Sequence, residues 1–380
     1  MEYSSSDLDG LDYNSERIRD YLRQLPNNTP AQLFKKISKF GYIGQDKAKK
    51  AVSLLAFRHV NRLRKIYLDG IDKKILPSKD NYLLMGPTGC GKTFLVEILF
   101  NQILNLPTVI IDITSFSETG YVGTDPVAIL TRLIQAADDP ATASIGIVCI
   151  DEFDKISTGK NNAVFAGAGT TKDVGGLGVQ KELLKMLEGA EINVPNSVTH
   201  SSYAERISFN TENVTFIASG AFSGFKNIIT TTKNRIGFGN THEEVNENKK
   251  TVAVSYNRED VEKVSYFEQY GMMPELIGRF SRIVPFAALG EKDLNKILTK
   301  NTISQYAKEL ELEGVKLVVD KKVKEKVVKE ALERETGARG LKYALLEYLE
   351  DACYDLYSSK KKIKQLTLTL KDDEIVSALD

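Results

Sequence analysis

The residues with the clearest chemistry form a glycine-rich stretch between positions 86 and 93. They satisfy the phosphate-loop pattern G-x-x-x-x-G-K-[ST] in full and are Gly86, Pro87, Thr88, Gly89, Cys90, Gly91, Lys92 and Thr93. In such a loop the glycines let backbone N–H groups close around phosphate oxygens, the lysine reaches the terminal phosphates, and the hydroxyl binds magnesium. An apolar run precedes the loop and a stretch with helical spacing follows it, as the pattern requires. The sequence therefore predicts a nucleotide-binding site, and an unliganded glycine turn is the weaker interpretation.

A second chemical pattern is an apolar run, 146–150, that ends in the adjacent carboxylates of Asp151 and Glu152. Ligands bind at the carboxyl ends of the strands in open parallel sheets. We predict that Asp151 and Thr93 hold magnesium together, and that Glu152 orients and polarises the attacking water. Acidic residues also favour the first turn of a helix, but the phosphate loop in the same chain favours the catalytic interpretation.

The elements that must position these residues alternate between short apolar runs and helical patterns. Apolar, β-branched runs cover residues 108–113, 145–150, 214–218 and 283–284. This alternation predicts an α/β fold in which a parallel β-sheet is flanked by helices on both faces. Near the end, mostly helical patterns and an alternating run at 365–370 predict a small α-rich C-terminal domain with an edge strand. The predicted division is an N-terminal arm at 1–40, a large domain at 41–288 and the small domain at 289–380.

The composition limits the classes of partner. The chain has 380 residues, of which 42% are apolar and 27% charged, with 51 basic and 51 acidic side chains. This neutral balance argues against a nucleic-acid partner, and no apolar stretch reaches the roughly 18 residues of a membrane span. The polar, acidic start does not resemble a signal peptide, so we expect a cytoplasmic protein of bacterial type, with an organelle matrix as the alternative. The three cysteines and three histidines are scattered, which predicts no metal site beyond magnesium.

Together with the upstream residues Tyr42-Ile43-Gly44-Gln45, the two motifs resemble those of AAA+ ATPases in the ClpX and HslU group of protein unfoldases. The resemblance covers the chain from residue 41 to the C-terminal strand. It implies the AAA+ P-loop NTPase fold, ATP and Mg²⁺ as cofactors, and a homohexameric ring. It also implies that Tyr42 and Ile43 pack on the adenine, although similar apolar residues begin ordinary core helices.

Two arginines match positions with catalytic roles in this group. Arg279, at the end of the run 274–279, resembles the arginine finger that reaches the γ-phosphate of a neighbouring subunit. The alternative is a surface ion pair with Glu275. Arg339 resembles the sensor arginine of the small domain, which contacts the phosphates of its own subunit, and the alternative is a solvated charge at a helix end.

Two further stretches resemble the pore loops with which these rings grip a polypeptide. Tyr121 and Val122 lie between glycines in the first, and Asp173 and Val174 begin the second. An exposed aromatic ring on a flexible loop suits a brief apolar grip on many sequences. A tyrosine folded back onto the core is the alternative for Tyr121.

A polar stretch contains Ile236, Gly237 and Phe238, which resemble the loop with which ClpX docks into the ClpP peptidase. Isolated apolar side chains in a polar tether can fill pockets on a partner, although the loop could instead tuck onto its own domain.

HslU carries a long insertion after the catalytic carboxylates, and the interval 153–213 is too short for it. The zinc-binding N-terminal domain of ClpX has no counterpart before residue 41, and the loop at 195–206 lacks the Arg-Lys-His cluster that attracts substrate tags. We therefore do not carry over the adaptor binding and the tag preference of ClpX to this chain.

The residues and the resemblance together predict an ATP-dependent unfoldase and translocase of the ClpX type. It is expected to thread unfolded or tagged proteins through a hexameric pore and to deliver them to a ClpP-like peptidase. The alternatives are an HslU-like unfoldase, an AAA+ motor that remodels nucleic acid, and a pseudo-ATPase scaffold. A nucleic-acid motor would need basic, aromatic pore loops, yet Tyr121 and Val122 have Glu118 and Asp125 nearby and little positive charge.

Overall fold

The large domain is built on a parallel sheet. The computed structural model describes residues 5–116, 125–158, 174–195, 206–236, 261–359 and 363–380. Its strands are β1 (Tyr82–Met85), β2 (Thr108–Asp112), β3 (Ile147–Asp151), β4 (Glu191–Pro195), β5 (Arg206–Asn210), β6 (Thr215–Gly220) and β7 (Arg282–Pro285). Five of them form one sheet in the order β2-β3-β6-β1-β7 with every pair parallel, and β4 and β5 form a separate antiparallel pair. The predicted α/β fold with a parallel sheet is confirmed.

Helices cover both faces of this sheet. They are α1 (Ser5–Gln24), α2 (Pro30–Lys39), α3 (Asp46–Tyr67), α4 (Lys92–Val96) with a π-helical continuation (Glu97–Ile103), α5 (Ala128–Ala137), α6 (Pro140–Ala143), α7 (Val174–Glu188), α8 (Phe225–Ile236), α9 (Val264–Tyr270) and α10 (Pro274–Ile277). Strand β1, which lies between β6 and β7, is buried throughout, and its side chains alternate between two cores. Leu83 and Met85 belong to one core, whereas Tyr82 and Leu84 belong to the other. A continuous apolar strand is thus explained by burial on both faces.

The N-terminal residues differ from the predicted arm. Residues Ile18, Leu22, Leu33 and Ile37 of α1 and α2 are buried in the same core as α3. Thr29 caps α2 with a reciprocal pair of hydrogen bonds to Gln32, which fixes its first turn. The arm interpretation followed the high mean polarity of this segment. Widely spaced apolar residues on one face of each helix are enough to pack it onto the large domain.

The C-terminal region forms its own core. Its elements are α11 (Glu291–Ile297) with a π-helical continuation (Leu298–Ile303), α12 (Ser304–Leu312), β8 (Lys316–Val319), α13 (Lys321–Glu333), α14 (Ala338–Ser358), β9 (Gln365–Lys371) and β10 (Glu374–Leu379). Leu294, Val327 and Leu345 lie at the centre of its core. The strand predicted at 365–370 is β9, but its predicted edge position is wrong, because it lies in the middle of a three-stranded sheet between β8 and β10. Among the described residues, no helix combines the length and apolarity needed to cross a membrane.

Candidate active site

The carboxyl ends of β1, β3 and β6 meet at one edge of the sheet. Met85 lies beside Gly220, and Ile150 lies beside Ala218, so the residues that follow β1 and β3 are brought together. The loop 86–93 starts there, and the N–H of Gly86 donates to the carbonyl oxygen of Gly220 at 3.2 Å. This edge is where parallel sheets bind ligands.

The phosphate loop has the backbone shape that its glycines predict. Gly89 and Gly91 have φ values of +72° and +93°, which side chains with a Cβ rarely adopt. Lys92 is nearly buried, and its Nζ donates to the carbonyl oxygens of Gly86 at 2.7 Å and Pro87 at 3.0 Å. Both acceptors are neutral, so the lysine charge remains available to a phosphate that enters the loop.

The two carboxylates at the end of β3 are held differently: Asp151 is the last residue of the strand and Glu152 follows it. Asp151 accepts hydrogen bonds from the hydroxyls of Thr93 at 2.7 Å and Ser219 at 2.6 Å, and from the N–H of Glu152 at 3.0 Å. The pairing of Thr93 with Asp151 places two hard oxygen ligands together, as a magnesium ion requires. Three hydrogen bonds fix the orientation of this carboxylate.

Glu152 has a left-handed backbone conformation, with φ 54° and ψ 31°. For a residue other than glycine this conformation costs about 1–3 kcal/mol, and such strain concentrates at functional sites. The strained turn ends β3 and brings Glu152 to the wall of a cleft over the phosphate loop.

A cleft of about 480 Å³ lies over the phosphate loop. Lys92, Asp151 and Glu152 line it from the large domain, whereas Arg339 and Lys342 line it from α14. Its volume is in the range of small-molecule sites. Three cationic side chains face two carboxylates, an arrangement suited to a polyphosphate with a divalent cation.

The two domains touch at the phosphate loop. The N–H of Ala338, the first residue of α14, donates to the carbonyl oxygen of Gly89 at 3.0 Å. A Cβ at Gly89 would lie 2.2 Å from the carbonyl oxygen of Thr336, so the approach needs glycine. The small domain is therefore in direct backbone contact with the loop that would hold the phosphates.

The upstream residues support the loop from behind. Tyr42 is buried, its hydroxyl donates to the carbonyl oxygen of Gly91 at 3.0 Å, and its ring stacks with Phe94 at 5.9 Å. Burial holds the pKa of Tyr42 well above its usual value, so the hydroxyl keeps its proton. Gln45 exchanges two hydrogen bonds with the backbone of Ala287, at 2.6 and 3.1 Å. Neither Tyr42 nor the half-buried Ile43 is among the residues lining the cleft, and their contact with adenine stays a prediction.

Arg279 lies between α10 and β7 and is not among the residues lining the cleft of its own chain. Its guanidinium pairs with Glu188 at the end of α7, and both side chains are more than two-fifths exposed. The structure thus gives Arg279 a partner other than Glu275. Its action on a neighbouring subunit stays a prediction.

Most of the residues predicted to form the pore loops and the peptidase-docking loop lie outside the described residues. Tyr121, Val122, Asp173, Gly237 and Phe238 lie outside the described residues. Val174 is the first residue of α7 and Ile236 is the last residue of α8. The assignments to pore loops and to peptidase docking stay predictions.

Sequence reasoning missed Ser219, and it quoted Gln45 only as part of the motif at 42–45, without a contact. Ser219 could have been noticed as a hydroxyl residue near the carboxyl end of a predicted strand, where ligand chemistry is expected. Gln45 carried no signal of its contact, since Ala287 lies 242 positions further along the chain.

A phosphate loop after β1, a carboxylate pair after β3, and a helical domain that brings an arginine to the same cleft define an AAA+ ATPase. In agreement, the AAA domain family (Cdc48 subfamily) matches residues 78–283, and the family of the C-terminal, D2-small domain of ClpB protein matches residues 289–370. The ATP-dependent Clp protease ATP-binding subunit ClpX of Borrelia duttonii (strain Ly) is 37% identical in an alignment of 356 residues that covers 91% of this chain and 78% of that protein. The chain belongs to the ClpX family of AAA+ proteins.

Proposed function

We propose that the chain is an ATP-driven protein unfoldase that threads polypeptides through a homohexameric ring and passes them to a ClpP-like peptidase. The observation that carries this proposal is the contact of the small domain with the phosphate loop, through Ala338 and Gly89. Because the small domain contacts the loop that would hold the phosphates, hydrolysis of the bound nucleotide can change the position of this domain. The relative from Borrelia duttonii is named as the ATP-binding subunit of a Clp protease, which supports the choice of partner.

Each of the cleft residues would have a separate role in ATP hydrolysis. Lys92 would release its carbonyl acceptors and bind the terminal phosphates, and Thr93 with Asp151 would hold Mg²⁺. The bound ion would neutralise charge on the phosphate oxygens. Glu152 would orient the attacking water, since it lines the cleft next to Asp151.

Arg339 would couple hydrolysis to domain movement. It lies one residue after Ala338, which is bonded to Gly89, and it lines the cleft. Contact with the terminal phosphate would favour the closed position of the small domain. Loss of that phosphate removes the differential contact, and the domain equilibrium shifts with it.

Arg279 would complete the site of the neighbouring subunit. Its ion pair with Glu188 joins two half-exposed side chains, and such pairs contribute only about 0–1 kcal/mol. Exchanging Glu188 for a phosphate across a subunit interface is therefore inexpensive. An arginine supplied in this way raises the rate of phosphoryl transfer by roughly 10³–10⁵.

The experiment that tests this proposal compares Arg279→Ala with Arg334→Ala, in which another exposed arginine loses its partner, Glu347. ATP turnover is measured under conditions where the wild-type chain is hexameric, and degradation of a tagged, folded reporter is measured with a ClpP-like peptidase. We expect Arg279→Ala to lose both activities and Arg334→Ala to keep them. Full ATP turnover by hexameric Arg279→Ala would exclude the role across subunits. ATP-dependent unfolding without degradation would exclude only the peptidase partner.

A further inference from the structure

A second cavity, of about 360 Å³, lies at the amino edge of the large-domain sheet. Lys79 and Asp80 precede β1 on one side of it, and Thr215 begins β6 at its base. Because the strands are parallel, this edge is opposite the one that carries the phosphate loop. The nucleotide chemistry described above uses none of the residues that line this cavity.

The lining is rich in positive charge. Arg58, Arg62 and Lys65 follow one another on one face of α3 at positions i, i+4 and i+7, and Lys79 reaches the cavity from the segment before β1. Asp80 is the carboxylate among the lining residues, and Lys79 is about half protonated at pH 7 because its pKa is lowered to about 7, so the lining has an excess of roughly two to three positive charges. His59 adds none near neutral pH, because burial lowers its pKa to about 4.

The two inner cations are bonded to neutral acceptors. Lys79 Nζ donates to the carbonyl oxygens of Thr211 at 2.8 Å and Val214 at 2.9 Å. Arg62 donates through Nη1 to the side-chain oxygen of Asn213 at 2.5 Å and through Nε to a backbone carbonyl at 3.1 Å. These acceptors carry no charge, so the positive charges of the two partly buried side chains are offset only in part, by the nearby Glu212.

The pKa of Lys79 reflects the excess of positive charge in the cavity. Burial and the charge of Arg62 lower the pKa of Lys79 to about 7, while Glu212 opposes the shift. Glu212 itself pairs with Lys73 at 2.6 Å. An anion in the cavity would compensate charge that these side chains leave unbalanced.

Arg58, at the exposed side of the cavity, forms only a weak ion pair. Arg58 is exposed and meets Asp80 at 3.5 Å, the outer limit of a hydrogen bond. An exposed pair of this kind contributes little to stability. The guanidinium of Arg58 is therefore available to a ligand that enters the cavity.

We propose that this cavity binds a small organic phosphate, with its phosphate group among the four lining cations Arg58, Arg62, Lys65 and Lys79. A phosphate monoester carries about −1.5 to −2 charges at pH 7, which matches the excess of positive charge better than a single carboxylate does. Guanidinium groups fit phosphate oxygens in pairs. The apolar side chains of Leu55 and Leu76 offer a wall for the organic part, and the volume lies within the range of small-molecule sites.

The test uses glycerol 3-phosphate as the probe, measured by calorimetry at low ionic strength. The background variant is Lys92→Ala, because the phosphate loop would otherwise bind the same group. We expect binding in this background, and we expect Arg58→Gln or Lys65→Gln to weaken it at least about tenfold. Lys50→Gln changes an exposed lysine of the same helix outside the cavity and should alter affinity less than about twofold. Arg58 and Lys65 are not buried, and an unchanged thermal midpoint checks that each variant is folded.

Three results would overturn the proposal. The first is the absence of binding to the folded Lys92→Ala chain at millimolar probe. The second is binding that Arg58→Gln and Lys65→Gln leave unchanged. The third is equal binding of glycerate, which has the same number of carbons but a carboxylate in place of the phosphate.

Discussion

Ser219 provides the sharpest test of how the carboxylate of Asp151, the proposed magnesium ligand, is held. Its side chain is fully buried, and its hydroxyl donates to Oδ1 of Asp151 at 2.6 Å. Ser219→Ala removes this bond with almost no change of volume. The same oxygen then keeps only the N–H of Glu152, so the carboxylate can turn away from Thr93.

The expected size follows from the charge of the acceptor. A hydrogen bond to a charged group contributes about 1.5–3 kcal/mol, which corresponds to about 10- to 150-fold in a rate or binding constant. We predict that Ser219→Ala lowers kcat/KM for ATP by a factor in this range. The Mg²⁺ concentration that gives half-maximal turnover should rise, because Asp151 is less well oriented to hold the ion.

The assay is steady-state ATP turnover over a range of Mg²⁺ concentrations. The matched control is Ser53→Ala, since Ser53 on α3 is also fully buried and its hydroxyl has no hydrogen-bond partner among the described residues. Removing an unpaired buried hydroxyl should leave turnover unchanged and stability equal or slightly higher. If Ser219→Ala turned over ATP like Ser53→Ala, with the Mg²⁺ dependence of the wild type, this account of Asp151 would be refuted.

Three other predictions concern the proposed water-polarising residue, the domain contact and a buried histidine. Glu152→Gln should keep nucleotide binding and lose hydrolysis by at least about 100-fold; normal turnover would remove Glu152 from its role. Gly89→Ala should lower ATP turnover at least about tenfold, because its Cβ would lie 2.2 Å from the Thr336 carbonyl oxygen. Gly70→Ala, also at positive φ but in open space, should keep turnover and cost only about 1–2 kcal/mol of stability. Because burial lowers the pKa of His59 from 6.5 to about 4, the unfolded chain gains a proton first on acidification. Stability should therefore fall between those pH values by up to roughly 3 kcal/mol, measured by denaturant unfolding, and His59→Gln should lack this loss.

The phosphate loop and the carboxylate pair could be predicted from the sequence because each is a continuous run whose residue types dictate the local backbone. The backbone has positive φ at Gly89 and Gly91, which favours glycine at both positions. The apolar strand ends at Asp151, whose carboxylate accepts a hydrogen bond from Thr93. Such local rules need no knowledge of distant contacts. The parallel sheet followed from the same kind of pattern.

The contacts that support the site depend on residues far apart in the chain. Arg279 pairs with Glu188, 91 positions away, although Glu275 is much nearer in sequence. Polarity averaged over the first forty residues concealed the few apolar side chains that pack them. A pattern of residue types indicates which side chains have chemistry, but tertiary packing decides which partners they meet.

The central claim is that ATP turnover in this chain drives protein unfolding. The most direct measurement is the fluorescence of a stably folded reporter that carries an unstructured tag, mixed with the hexameric chain and no peptidase. We predict that fluorescence falls with ATP and Mg²⁺, and that it stays constant with ADP or with Glu152→Gln. Sustained ATP hydrolysis by the chain while a tagged reporter, shown to bind the hexamer, stays folded would contradict the claim.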